Sequence, residues 1–163
     1  MSITSLEKDF DNLTLTLIMD FDYPVERIWR LYADPRQLEQ WWGPPGYPAT
    51  VYQHDLSEGG LVKYYMSRPE GQKHHGYWRV LETDPPTLLE VEDGFGDEQG
   101  NPDDDMPVGR MRVEFSEHEG GTRVTSVSTH ASREDLEKLV QMGMEEGLRA
   151  AAGQIEAILQ ADT

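Results

Sequence analysis

The sequence predicts an α+β fold: a curved antiparallel sheet wrapped around one long C-terminal helix, with two short helices after strand 1. Three observations carry this. From Ser132 to Leu159 the apolar residues Leu136, Val140, Met144, Leu148, Ala151, Ile155 and Ile158 recur at helical spacing. Between Pro48 and His130 the chain breaks into short alternating segments separated by glycine and proline turns. Leu15, Leu17, Met19 and Phe21 alternate with polar or outward positions ahead of all of them. Runs of strands followed by a helix give an antiparallel sheet with helices on one face.

The elements follow in order. Leu13 to Phe21 has period 2 and reads as the first strand. Asp22 then stands where it can cap a short helix that starts around Pro24 and carries Val25, Ile28, Trp29 and Tyr32 at helical spacing. Asp34-Pro35 repeats that start signal, and Gly43-Pro44-Pro45-Gly46 ends the second helix after Trp41. Strands are expected over 48–54, 61–67, 75–83, 88–92, 107–116 and 122–130. The stretch from Glu92 to Pro107, which holds Asp93, Asp97, Glu98, Asp103, Asp104 and Asp105, reads as a long acidic loop. Val124 and Val127 fall on opposite faces of the last strand, which implies a bulge or a shifted register.

Composition narrows the function. The chain has 163 residues, enough for one domain over 1–163 with a real core. Its net charge is −17, from 14 basic and 31 acidic residues, a field that repels nucleic acid and anionic membrane surfaces. It has no cysteine, so disulfides, thiolate metal sites and thiol nucleophiles are excluded. Met1 to Asp11 has neither a basic nor an apolar leader segment, and a cytoplasmic location is expected. The dispersed histidines lack metal-ligand spacing, and the adjacent His74-His75 point to opposite faces of a strand, so neither a metal nor another cofactor is expected. Asp103-Asp104-Asp105 lacks the spacing of a calcium loop and reads as a solvated charge run. No Gly-x-Ser-x-Gly elbow, phosphate loop or dinucleotide fingerprint occurs.

What remains is a container. Gly147 lies in the middle of the apolar helix stripe and Gly143 at its edge. Each costs roughly 1 kcal/mol against alanine in a helix interior. Glycines there mean either close packing or a space left beside the helix. Tyr64, Met66 and Trp78 fall on inward strand positions, where they form a pocket wall or ordinary core. Trp41 and Trp42 end the second short helix and point about 100° apart, so either one of them faces the cavity or both close the core where the helix meets the sheet. With Met111, Met144, Gly147 and Leu148 they make up the expected lining of a cavity for a small hydrophobic, aromatic or lipid-like molecule. Met142 lies opposite Val140 and Met144; it is either a scattered surface residue or part of a face on which a homodimer can form.

Several local motifs sharpen the fold. Tyr23-Pro24-Val25-Glu26-Arg27-Ile28-Trp29, Asp34-Pro35 followed by Trp41-Trp42-Gly43-Pro44, and Asp55-Leu56 with Gly59-Gly60 occur in that order. Val80-Leu81-Glu82 with Asp84-Pro85-Pro86 comes next, and Gly143-Met144-Glu145-Glu146-Gly147 last. Together they resemble the START-like helix-grip superfamily, in the branch of homologues of the activator of heat-shock protein 90 ATPase. The resemblance covers Leu13 to Leu159. It departs at Met144, where that family usually carries tryptophan. The family is functionally mixed, so the resemblance implies a fold and a cavity and not a reaction. Beside the binding of a small apolar molecule that the residues suggest, it leaves polyketide cyclase or aromatase-like catalysis and a co-chaperone-type docking module as alternatives. For the catalytic alternative Arg79, Arg110, Tyr64 and His130 are conceivable contributors; no residue is assigned as catalytic.

Overall fold

The computed structural model describes residues 3–161. Alternation does what it predicts in β2 (Thr14–Phe21): Leu15, Leu17, Met19 and Phe21 are all buried and the residues between them face the other side. Leu13 is not part of this strand. It takes a left-handed φ of 61° in the turn after an additional strand, β1 (Ile3–Asp9). The Asp9 carboxylate holds that turn by accepting from the backbone N–H groups of Asp11 and Asn12 and from the Asn12 amide. β1 is an edge strand with Leu6 as its one buried residue, so it carries almost no hydrophobic period to read.

After β2 come α1 (Val25–Ala33) and α2 (Pro35–Trp41). Asp34 caps α2 by accepting from the Arg36 N–H at 2.9 Å, with Pro35 in the first turn. Asp22 does not cap α1. Pro24 stands at the N-cap with no side-chain bond, and its carbonyl accepts from Arg27 and Ile28. The meander then runs β3 (Ala49–His54), β4 (Leu61–Ser67), β5 (Lys73–Asp84), β6 (Leu88–Phe95), β7 (Gly109–His118) and β8 (Gly121–His130).

All neighbouring strands pair antiparallel in the order β1-β2-β8-β7-β6-β5-β4-β3. The two short helices thus carry the chain from β2 to the far edge of a curved, unclosed sheet, and the meander brings it back to β2. No bulge lies in β8. Its register is regular against both neighbours, with Val124, Ser126 and Ser128 on the inner face and Val127 half-buried on the other. β6 reaches Phe95, so Asp93 belongs to a strand and the acidic loop is shorter than expected. Within that loop the Asp97 carboxylate accepts from the Gln99 and Asn101 N–H groups.

The C-terminal helical run begins at a Ser132 cap and comprises α3 (Arg133–Gln141), α4 (Met144–Ala152) and α5 (Ile155–Ala161). Gly143, at φ +90°, breaks it between α3 and α4. The break shifts the apolar stripe: Leu139 is buried in place of Val140, while Met144, Gly147 and Leu148 are only half-buried. Leu136 at one end and Ala151, Ile155 and Leu159 at the other are core. Gln154 anchors the far end by donating to the Gly43 carbonyl at 2.8 Å. No helix among the described residues is long and apolar enough to cross a membrane.

Gly143 and Gly147 therefore have opposite roles, and stability separates them. A Cβ at Gly147 would meet nothing nearer than Pro44 Cγ at 3.9 Å. Gly147→Ala should stabilise the protein by up to about 1 kcal/mol through helix propensity. Gly143→Ala should destabilise it by about 1–2 kcal/mol, because its left-handed backbone penalises any Cβ. Urea denaturation of the two variants beside the parent chain checks both signs.

Candidate functional site

The space left under the half-buried middle of the helical run forms two adjoining cavities of about 350 and 210 Å³. Tyr64, Met66, Asp93, Met111, Ser128 and Met144 line both, so they form the junction. The smaller chamber reaches toward α2, with Trp41 and Trp42 in its wall and Gly147 and Leu148 above it. The larger opens toward the α3–α4 break and the ends of β5 to β8, past Met142, Gly143, Arg110 and His130.

Of the residues expected to line a cavity, Trp41, Trp42, Tyr64, Met66, Met111, Met144, Gly147 and Leu148 lie on one or both chambers. Trp78 lies on neither. It is fully buried, and its ring stands edge-on to Trp42 at 5.0 Å, so it backs the wall. Trp41 is fixed by its indole N–H, which donates to the Leu31 carbonyl at 2.9 Å. Arg79 points away from the site and pairs with Glu92 at 3.7 Å. Arg110 and His130 line the larger chamber, as do both His74 and His75.

The sequence reading missed Asp93, which it placed in the acidic loop. The signal was the alternation Leu89, Val91, Asp93 on β6: the first two are fully buried, and Asp93 continues their face. Burial without a compensating partner pushes its carboxyl up to about 7. Three other polar groups share its surroundings. The Tyr64 phenol is held protonated, because burial and the nearby Asp93 charge both raise its pKa. The Trp42 indole Nε1 lies toward that hydroxyl but has no hydrogen-bond partner. Both ring nitrogens of His130 are buried and unpartnered, and burial lowers its pKa against the opposing pull of Asp135.

Two glycines let these side chains converge. Tyr64 pairs with Gly76 across β4 and β5, and a Cβ on Gly76 would sit 2.5 Å from the Tyr64 hydroxyl oxygen. The phenol therefore lies flat over β5 toward β6. On the other side Asp93 pairs with Gly109, and Gly109 pairs with His130. A Cβ on Gly109 would come 3.1 Å from the His130 ring. The imidazole thus lies over the strand between β8 and Asp93. The product is an apolar chamber with a carboxyl, a phenol and an imidazole on its sheet wall and the Trp42 indole at the end of α2 beside them. Among the described residues no group of three or more His, Asp and Glu side chains is placed to hold a metal ion.

Comparison with known proteins places this geometry in a family. Residues 22–160 match the model described as Activator of Hsp90 ATPase homolog 1-like protein. Protein Ms6760 from Mycobacterium smegmatis is 50% identical, with 96% of each chain covered and a TM-score of 0.89. A protein from Arthrobacter aurescens is 42% identical over 98% of this chain and 93% of that one, with a TM-score of 0.93. DynU16, a protein of the dynemicin biosynthetic locus, shares the fold at 15% identity and a TM-score of 0.67, over 93% of this chain and 48% of that one. No curated protein matches. With the family model spanning nearly all of the helix-grip fold, the chain belongs to the Activator of Hsp90 ATPase homolog 1-like family.

Proposed function

We propose that the protein binds a small, largely apolar, uncharged molecule in the paired chambers, with an oxygen function of the ligand seated at Asp93, Tyr64 and Trp42. The observation that supports this reading is the junction itself. Buried polar groups normally find partners, yet here an indole donor has none and a carboxyl lacks compensation in a space walled by aromatic and methionine side chains. Such groups orient a ligand whose bulk is held by apolar contact. The chamber size fits a compact ring system. The excess of negative charge on the whole chain favours a neutral ligand over an anionic one.

Gly147→Leu supplies the test. Its side chain projects into the smaller chamber, where a Cβ has room. The fluorescent probe N-phenyl-1-naphthylamine should bind the parent protein, and Gly147→Leu should weaken that binding about tenfold or more while the protein stays folded by circular dichroism. Equal affinity in the two proteins would remove the chamber from the reading. Extraction of freshly purified protein, followed by mass spectrometry, should recover a discrete apolar compound.

The unpaired carboxyl also predicts a pH dependence. Folding raises Asp93 from 3.8 to about 7, so between those values the folded chain keeps a proton that the unfolded chain has released. Its contribution to stability is therefore fully present below about 4, is lost as pH rises toward 7, and stays lost above. Asp93→Asn removes this penalty. The variant should be more stable than the parent at pH 8 by roughly 2–4 kcal/mol, with the difference vanishing near pH 4. Thermal denaturation across that range measures it.

A further inference from the structure

The junction has the parts of a proton-transfer site. Asp93 sits on the inner face of β6 and borders both chambers. Tyr64 borders both as well, with its hydroxyl carried toward β6 by the missing side chain of Gly76. Trp42 lines the smaller chamber, and its buried Nε1, close to the Tyr64 hydroxyl, lacks a hydrogen-bond partner. One base and two hydrogen-bond donors thus surround a single apolar space. Pairing a titratable group with donors aimed at a developing negative oxygen is the arrangement that enolisation requires.

We propose that Asp93 is a catalytic base that moves a proton at the carbon next to the carbonyl of an apolar ring ketone held in the junction. This rests on the small-molecule reading above and names the reaction class of the same site. In the step, an Asp93 carboxylate oxygen takes the α-proton. The C–H electron pair becomes the new C=C bond, and the C=O π pair moves onto oxygen. The oxygen accepts hydrogen bonds from the Tyr64 O–H and the Trp42 N–H. Asp93 then returns its proton to the same carbon, or to another carbon of the conjugated system. Nothing is oxidised or reduced and no co-reactant enters. The carboxyl suits the task because its burial brings it close to half ionised near neutral pH. The titratable groups that line the chambers with it are Tyr32 of α1, Tyr64 of β4, His74 and His75 of β5, Arg110 of β7 and His130 of β8; α3 and α4 contribute none there. The His130 ring covers the strand beside Asp93 and fills that flank.

The probe is 2-tetralone in D2O, with exchange of its C1 protons followed by proton NMR and binding followed by ligand-induced shifts in the protein spectrum. The parent protein should exchange the bound ketone well above the buffer rate. Asp93→Asn should lose about a hundredfold or more of that excess while still binding the probe. After subtraction of the buffer rate, the parent's excess should rise with pH through the range in which Asp93 ionises and then level off, and the variant's should show no such step. Binding with no excess exchange, or an Asp93→Asn protein that exchanges as fast as the parent, overturns the base assignment and leaves the container reading standing. Absence of probe-induced shifts at millimolar 2-tetralone counts against the container reading and removes the base assignment with it.

Discussion

The end-on stack of aromatic rings at the C-terminus of α2 holds the helices at the distance from the sheet that makes a chamber possible. Tyr32 meets Trp41 edge-on at 5.1 Å, Trp41 meets Trp42 at 5.4 Å, and Trp42 meets Trp78 of β5 at 5.0 Å. Tyr32 also leans on Phe115 of β7, which in turn receives Trp29. Each edge-to-face pair contributes about 0.5–1.5 kcal/mol beyond its buried area. Their combined effect is geometric: large rigid rings cannot collapse into the adjoining space as leucines would. Gln154 ties the same corner to the helical run through the Gly43 carbonyl. The helices are thus propped at one end by this cluster and at the other by Leu136 and Leu139. The segment between them bridges the gap.

That bridging explains which parts of the chain were legible in sequence. β2, β4 and the two short helices announce themselves because burial and periodicity coincide there. β1 does not, since an edge strand with one buried leucine has no period to detect. Leu13 extends the apparent alternation of β2 by one residue although it sits in a turn, because a hydrophobic residue's identity does not disclose its φ. The C-terminal stripe was recognisable as helix. Its interruption was not, because a glycine within a helical pattern is compatible with both a tolerated defect and a left-handed stop. Gly147 and Gly143 are four residues apart and look alike in the sequence; only the backbone distinguishes them.

The candidate site was legible in its apolar part and hidden in its polar part, for a related reason. Trp42, Tyr64 and Met144 obey the rule that large apolar residues at inward positions line whatever lies inside. Asp93 breaks that rule in a chain with 31 acidic residues, so compositional noise covers it. Arg79 and Arg110 show the same difficulty from the other side. Both are basic residues on strands next to the chamber, yet Arg79 is engaged with Glu92 on the opposite face while Arg110 lies at the mouth. Strand parity does not separate them, since Glu92 pairs with both and both fall on the outer face; Arg110 differs in standing at the start of β7, beside the mouth of the larger chamber.

Two inward glycines flank Asp93, Gly109 on β7 and Gly76 on β5. Glycine in a strand interior weakens the strand and packs nothing, and an uncompensated buried carboxyl weakens the fold at neutral pH. At this one place the sheet accepts three such costs together: Gly76, Asp93 and Gly109. A core selected only for stability would fill these positions with β-branched residues, as β6 does at Val91 and β7 at Val113. The local rules fail on adjacent strands and on one face of the sheet, at Gly109 directly opposite Asp93 and at Gly76 one inward position along β5. The failures also depend on each other, since the glycines are what allow Tyr64 and His130 to lie across the sheet toward the carboxyl. Clustered and interdependent departures from good packing are the pattern of a functional site. They coincide with the junction of the two chambers, which Asp93 and Tyr64 both line.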